Sequence, residues 1–371
     1  MKFVIITHTP HMFHQGNLYA YGPYIREINL WGKYVDELIV VAPLSKKNVS
    51  TIDLPYDHSN TRLKRISSIS LTSFSQIIKS ILFAPVIFLK ITNEMSKADH
   101  IHLRCPGNIG LIGCLAQIFF KKKMKTAKYA GNWDPKSAQP LSYRMQKRLL
   151  SNPFLTRNMQ VLVYGYWKEQ TKNIKPFFTA TYPKSKIVNT VARIFNEEHK
   201  FLFVGSLSSG KRPMYAIELI ESCLKKGVCC SLSFYGDGIE RSALESYIKS
   251  RGLSSEIKLF GNQDSNVIEA AYKESHFLIL PSKSEGWPKV VAEAMFWGCV
   301  PIVTKISCVP WMLGNGQRGL LIEMDRDRDV NKVLSLLSQQ EKIRDIRSNA
   351  QNWSQKYTLD TFEGEIKKLL K

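Results

Sequence analysis

Two carboxylates, Glu285 and Glu293, stand with seven residues between them in the stretch PSKSEGWPKVVAEAMFWG, residues 281–298. The apolar run HFLIL just before it reads as a strand, and a turn of small residues leads on to Pro288. Proline is favoured in the first turn of a helix, because the N–H it lacks has no partner there. A helix that starts here points free N–H groups and the positive end of its dipole beyond the strand end, which suits an anion such as a diphosphate. A carboxylate can accept two hydroxyls at once, so a glutamate in the turn and another in the helix fit the hydroxyls of a sugar or a ribose. Taken singly, Glu285 also fits a helix cap and Glu293 a solvated side chain.

Such groups need a frame, and the chain supplies alternating strands and helices. In the second half, apolar strands at 200–206, 230–235, 257–260, 276–280, 300–304 and 319–323 alternate with amphipathic helices at 213–226, 239–251, 266–275 and 289–297. Helical segments then cover 326–340 and 342–370. The first half shows strands at 2–7, 37–42, 100–104, 126–130, 160–164 and 186–189. Its helices fall at 22–31, 74–96, 108–120 and 142–150. This order implies parallel sheets covered by helices, in two doubly wound α/β domains. A chain of 371 residues has room for both. Ligands of such sheets bind at the C-terminal strand ends, so the expected site is a cleft between two facing domains. The expected division is an N-terminal domain 1–195, a C-terminal domain 196–352 and a final helix 353–371 that packs back toward the first domain.

Four segments in register resemble the family 4 (group 1) retaining glycosyltransferases of the GT-B fold. Glu285 and Glu293 in SEGWPKVVAEAM match that family's E-x7-E motif. Phe203–Leu207 followed by Lys211 resembles the first strand and phosphate loop of its donor domain. Tyr235-Gly236-Asp237-Gly238 resembles its Y-G-x-G turn, and Leu259-Phe260-Gly261-Asn262 its base-contacting turn. About 150 residues are covered well, and the first half only in outline.

The resemblance implies a nucleoside-diphosphate-sugar donor and specific roles. Glu293 would hold the ribose hydroxyls and Glu285 the donor sugar. Lys211 would neutralise the diphosphate as a point charge and stabilise the leaving nucleotide. The backbone N–H groups of Gly286 and Trp287, next to Pro288, would add to that charge. Gly205 would allow close approach of the phosphates, Gly236 would belong to the neighbouring turn, and Gly261 and Asn262 would line the base pocket. The family's usual Arg after the glycine is Ser206 here; Arg212, beside Lys211, is a candidate replacement. Family members retain anomeric configuration, and the usual proposal lets a donor phosphate oxygen take the acceptor's proton on the same face.

That scheme requires no cofactor and no metal. The acidic run Asp325-Arg326-Asp327-Arg328-Asp329 has D-x-D spacing but is interleaved with arginines, and reads as a solvated helix start. The first half would hold the acceptor. His8, His11, His14, Asn17 and Tyr21 follow the first strand and suit sugar hydroxyls. The three histidines sit in a cysteine-free loop and read as non-metal residues. Gly16 is the best match to the glycine that this family places near the donor phosphates. Arg104, Asn108, Asn132 and Asp134 end two later strands and would touch acceptor or donor; each also fits a turn or cap. The family's common His at the Ala130-Gly131-Asn132 strand end is missing, which leaves Asn132 or Asp134 to take its place.

The net charge is +21, and residues 1–195 hold 28 basic and 9 acidic side chains against 24 and 22 in the rest. So one-sided a charge favours an anionic partner. No nucleic-acid-binding module accompanies it. Lys121-Lys122-Lys123-Met124-Lys125 follows an apolar helix end, which suits an anionic membrane surface. The apolar stretch 77–91 carries Lys79, Pro85 and Lys90 and falls short of the roughly 20 residues a spanning helix needs. Residues 1–7 lack the length and cleavage site of a secretory signal, and the seven cysteines, free of any CxxC pair, read as reduced thiols. Together these features give a cytoplasmic expectation, peripheral on the inner face of the membrane. The expected task is sugar transfer to a glycan or lipid-linked acceptor in surface polysaccharide or lipopolysaccharide assembly. The competing readings are a nucleotide-sugar epimerase of the same fold, a donor-binding scaffold without catalysis, and a basic nucleic-acid-binding protein.

Overall fold

The computed structural model describes residues 1–50, 52–70, 73–168, 170–188 and 198–371. Its contacts divide into two units: residues 1–178 with 362–371, and residues 179–361. The boundary expected at 195–196 lies outside the described residues.

Unit 1 is built on a seven-stranded parallel sheet. Its strands are β1 (Lys2–Ile6), β4 (Glu37–Pro43), β6 (Thr61–Ile66), β7 (His100–Cys105), β8 (Met124–Tyr129), β9 (Met159–Tyr164) and β10 (Ile174–Phe177), in the order β10-β9-β8-β7-β1-β4-β6. Between β1 and β4 the chain makes β2 (His11–His14), β3 (Asn17–Tyr21) and α1 (Gly22–Gly32); β5 (Asp53–Pro55) joins β3 in a small antiparallel sheet. The helices α2 (Phe74–Lys97), α3 (Asn108–Ala116) and α4 (Leu141–Leu150) follow, with α3 touching both α2 and α4. The β1, β4, β7 and β9 runs are buried almost throughout, as strands covered on both faces must be.

Unit 2 repeats the plan with β11 (His199–Val204), β12 (Cys230–Tyr235), β13 (Ile257–Leu259), β14 (Phe277–Leu280), β15 (Val300–Thr304) and β16 (Leu320–Ile322) in the order β13-β12-β11-β14-β15-β16, all parallel. Its helices are α5 (Pro213–Lys225), α6 (Arg241–Ser250), α7 (Ser265–Glu274), α8 (Lys289–Phe296), α9 (Val309–Met312), α10 (Arg326–Leu337) and α11 (Gln340–Ser354). In both sheets the strand order reverses beside the first strand, between β1 and β7 and between β11 and β14. That switch point is where the loops on either side diverge and leave a crevice for a ligand.

The last helix, α12 (Leu359–Leu369), carries the chain back into unit 1. There Phe362 is buried against Phe177, Phe178 and the Lys128 ammonium, and Glu363 accepts from Lys33 and Tyr34.

Several local expectations change. The segment after β1 is a β-hairpin rather than a loop: Gln15 and Gly16, both at positive φ, make a two-residue turn that pairs His14 with Asn17. Of the strand expected at 186–189, residues 186–188 form none, Lys186 ending a 3-10 turn over Lys184–Lys186, and residue 189 lies outside the described residues. Pro288 caps α8 from outside instead of opening its first turn. Asp329, expected in solvent, is buried and accepts from Tyr215 Oη and from the backbone N–H groups of Glu323 and Met324, whereas Asp325 caps α10. The apolar stretch at 77–91 belongs to a helix whose residues Ser75–Lys97 are long and apolar enough to cross a bilayer.

Candidate active site

Three turns meet at the C-terminal ends of β11, β12 and β13. Gly205 N–H donates to Tyr235 O (2.9 Å), and Gly236 N–H donates to Gly261 O (2.8 Å). A Cβ on Gly236 would fall 2.0 Å from Gly205 O, and one on Gly238 would fall 2.4 Å from Leu207 O. No side chain fits between these backbones, which explains the glycines of the Y-G-x-G turn. Gly205, Gly236 and Gly261 thus lie in adjoining turns, while Tyr235 and Phe260 stack beside them with ring centroids 5.0 Å apart.

At the switch point the β14–α8 turn meets the loop after β11. Lys283 N–H donates to Gly210 O (2.8 Å), and Lys211 Nζ lies 2.5 Å from Glu285 Oε1. The Glu285 side chain is only 9% exposed, so its charge depends on Lys211 as partner. Eight residues on, α8 holds Glu293 within reach of two hydroxyls. Thr181 Oγ1 donates to it at 2.7 Å and the buried Tyr272 at 3.1 Å. The carboxylate is therefore oriented by protein hydroxyls rather than solvated. Neither Thr181 nor Tyr272 carries a sequence signal, because partners 112 and 21 residues away follow from the packing alone.

The turn itself is fixed from behind. Trp287 is buried and stacks on Trp353 of α11, which also packs against Trp311, Tyr357 and the Arg318 guanidinium. Cys308 Sγ donates to Gly286 O at 2.9 Å. Beside Trp287, Gly286 and Pro288 thus sit in a turn anchored by its side chains, with Lys211 and Glu285 at its mouth. Ser206 is exposed and its hydroxyl is 3.2 Å from that of Ser208. Arg212, in left-handed backbone (φ 52°), occupies the N-cap of α5 ahead of Pro213. Asn262 follows Gly261 on the exposed side of its turn.

Sequence-predicted residues of unit 1 serve several local structures. His14 and Asn17 are exposed on the hairpin that turns at Gly16. His11 is buried instead, its Nδ1 donating to Thr9 O (2.8 Å) and its Nε2 2.7 Å from Tyr56 Oη. Asn132 accepts from Asp134 N–H and Asp134 from Lys136 N–H, as turn residues do. Arg104 is engaged with a residue that sequence reading passed over. Buried Glu27 of α1 accepts from Arg104 and, at 2.9 Å, from the Lys128 ammonium, itself 1% exposed. Burial by itself would raise the Glu27 pKa, but Arg104 and Lys128 hold it at about 2.

Burial pushes His11 and His100 down to about 4 and His102 well below the usual imidazole value. An unfolded chain binds protons at these sites from about pH 6.5 downward, while the folded one resists to about 4. Their contribution to stability is therefore complete above pH 6.5 and is lost as the pH falls toward 4. Between those limits His11 and His100 should each remove about 1.4 kcal/mol per pH unit. Melting curves from pH 7 to 4.5 should fall steeply; a flat profile would contradict buried, neutral imidazoles.

Among the described residues, no group of three or more His, Cys, Asp or Glu side chains gathers as a metal site.

Residues 187–353 match the family model described as glycosyl transferases group 1. An uncharacterized glycosyltransferase of Methanocaldococcus jannaschii is 26% identical over 168 residues, 44% of this chain and 46% of that protein. The alpha-D-kanosaminyltransferase of Streptomyces kanamyceticus is 24% identical over 144 residues, 39% of this chain and 37% of that one. The matched stretch spans less than half the length of either relative. Over the full chain the fold is similar to the lipopolysaccharide outer core galactosyltransferase WaaB (TM-score 0.71, 16% identity, 100% of this chain and 99% of that one). It is also similar to Anabaena HepE in complex with UDP (TM-score 0.70, 16% identity, again 100% and 99%). The chain therefore has the GT-B fold of these glycosyltransferases, and its C-terminal half matches the group 1 glycosyl transferases.

Proposed function

We propose that the protein is a retaining glycosyltransferase that moves a sugar from a nucleoside-diphosphate sugar to a glycan or lipid-linked acceptor, with no metal ion, in surface polysaccharide or lipopolysaccharide assembly. The observation that carries this reading is the Lys211–Glu285 pair at the unit 2 switch point, with an oriented Glu293 one short helix segment further on. In this scheme the donor diphosphate takes Lys211 from Glu285 and lies against the N-terminal end of α8, where free N–H groups add to the positive field. Glu285, released, accepts sugar hydroxyls, and Glu293 accepts those of the ribose.

As the bond between the anomeric carbon and the diphosphate oxygen breaks, negative charge grows on the leaving phosphate, and Lys211 is there to meet it. The acceptor hydroxyl attacks the same face and passes its proton to that phosphate oxygen, so no protein base is required. UDP in the HepE complex makes uridine the first base to try. The test is transfer from each nucleoside-diphosphate sugar to a glycan acceptor in EDTA, with the product's anomeric configuration read by NMR. An inverted product, or dependence on added metal, would overturn the scheme.

A further inference from the structure

We propose that unit 1 carries an anion-binding site at the N-terminal ends of β7, β8, β9 and β10, and that this site takes one small phosphorylated molecule. A cavity of about 400 Å³ opens there. It lies at the opposite end of the sheet from the C-terminal strand ends, where ligands of such sheets ordinarily bind. Its size falls within the roughly 300–1,000 Å³ of cavities that hold a small molecule. Three lysines and an arginine line it: Lys125 from β8, Arg157 from the loop between α4 and β9, and Lys172 and Lys175 just before and within β10. No Asp or Glu shares the lining. Met124 and Met159 add apolar surface, as a pocket for an organic molecule needs.

These cations have no acid to answer them. Lys125 is 2% exposed, and its ammonium donates to Gln117 Oε1 (2.8 Å) and Gln117 O (3.2 Å), neither of them charged. Lys128, buried as deeply in the same strand, instead shares Glu27 with Arg104. A buried charge without a counter-charge is costly, and desolvation lowers the Lys125 pKa to about 8. Arg157, Lys172 and Lys175 are exposed and form no ion pair among the described residues. His100, also in the lining, has a buried Nδ1 with no hydrogen-bond partner among the described residues, and native structures rarely leave a buried polar atom so. A phosphoryl group supplies the missing negative charge together with several acceptor oxygens. The walls are already fixed. Asn173 Nδ2 donates to Leu150 O (2.7 Å) and Thr156 Oγ1 (3.0 Å), which ties the start of β10 to the α4–β9 loop, and the Arg157 guanidinium lies 4.8 Å from the Phe154 ring centre. A preformed site loses less entropy when it binds. A nucleic-acid strand would stack its bases on aromatic platforms, and no Phe, Tyr or Trp lines the cavity.

The inference is independent of sugar transfer, and its test silences the proposed donor site. Pyrophosphate is titrated by calorimetry into the full chain carrying Lys211→Ala, which should still bind it. Adding Lys172→Glu/Lys175→Glu should weaken that binding by at least about tenfold, because like charges then face the ligand. Adding Lys79→Glu/Lys90→Glu on α2 instead makes the same change in net charge away from the cavity, and should weaken binding by less than about threefold, since salt screens distant exposed charges. All four lysines are exposed, and circular-dichroism melts check that the variants fold. Arg157→Ser, in the loop, should weaken binding as well and keeps the test decisive if the β10 variant unfolds. No binding to the Lys211→Ala chain, binding untouched by the cavity variants, or an equal loss in the α2 control would overturn the proposal.

Discussion

Replacing Lys211 by alanine should lower kcat by about 10²–10³-fold, the usual cost of removing one preorganised donor from a developing negative charge. Two effects act together. In the proposed reaction the leaving diphosphate would lose its point charge, and Glu285, whose side chain is 9% exposed, would lose its partner and face the phosphates as an unpaired anion. Because the residues act as a pair, Lys211→Ala/Glu285→Ala should be far less than the product of the single effects. Steady-state rates of the two single variants and the double variant measure this directly. A loss below about threefold in Lys211→Ala, with wild-type melting, would mean that the ion pair only fastens the β11 loop to the β14 turn.

The second large effect is on stability and lies in unit 1. Glu27→Gln keeps the shape of the side chain but removes the negative charge that Arg104 and Lys128 share and replaces one of its two accepting oxygens by an amide donor. Those side chains are 11% and 1% exposed, so their charges cannot turn to water. Breaking a buried ion pair from one side costs about 3–5 kcal/mol, or roughly 10 °C in melting temperature for a unit of this size. Adding Lys128→Met should recover part of the loss, because an apolar side chain of similar length suits the ring pocket of Tyr164, Phe177 and Phe362. Thermal melts of the single and double variants decide the matter; a change within about 1 kcal/mol for Glu27→Gln would show that water reaches the cluster.

What could be read beforehand follows the physics of each signal. The strands of unit 2 are short apolar runs between amphipathic helices, and their order made the parallel sheet legible. Glu285 and Glu293 stood out because strand, turn and helix follow one another closely and because their spacing resembles the E-x7-E motif; each alone also fitted a cap or a solvated side chain. The hairpin of β2 and β3 went unread, because its alternation is short and its turn is Gln15-Gly16 rather than the commoner Asn-Gly. The edge strand β6, TRLKRI, alternates cations with apolar residues and resembles a solvated loop in one dimension. Glu27 was unreadable as a site feature because its partners come from β7 and β8, 77 and 101 residues later. The same holds for Trp287, chosen for its backbone N–H, whose side chain anchors the turn to a tryptophan on α11.

The proposed donor site is tested most directly by a thermal-shift screen of UDP, GDP, ADP and their sugars in EDTA, on wild type and Glu293→Ala. A ligand at about 100 times its Kd adds about 2.7 kcal/mol, a rise of roughly 5–10 °C for a unit this large. One nucleotide should stabilise the wild type by that order, and Glu293→Ala, without its ribose acceptor, should lose most of the shift. No shift with any nucleotide, alongside stabilisation by RNA or anionic lipid, would contradict a donor site built on Lys211, Glu285 and Glu293.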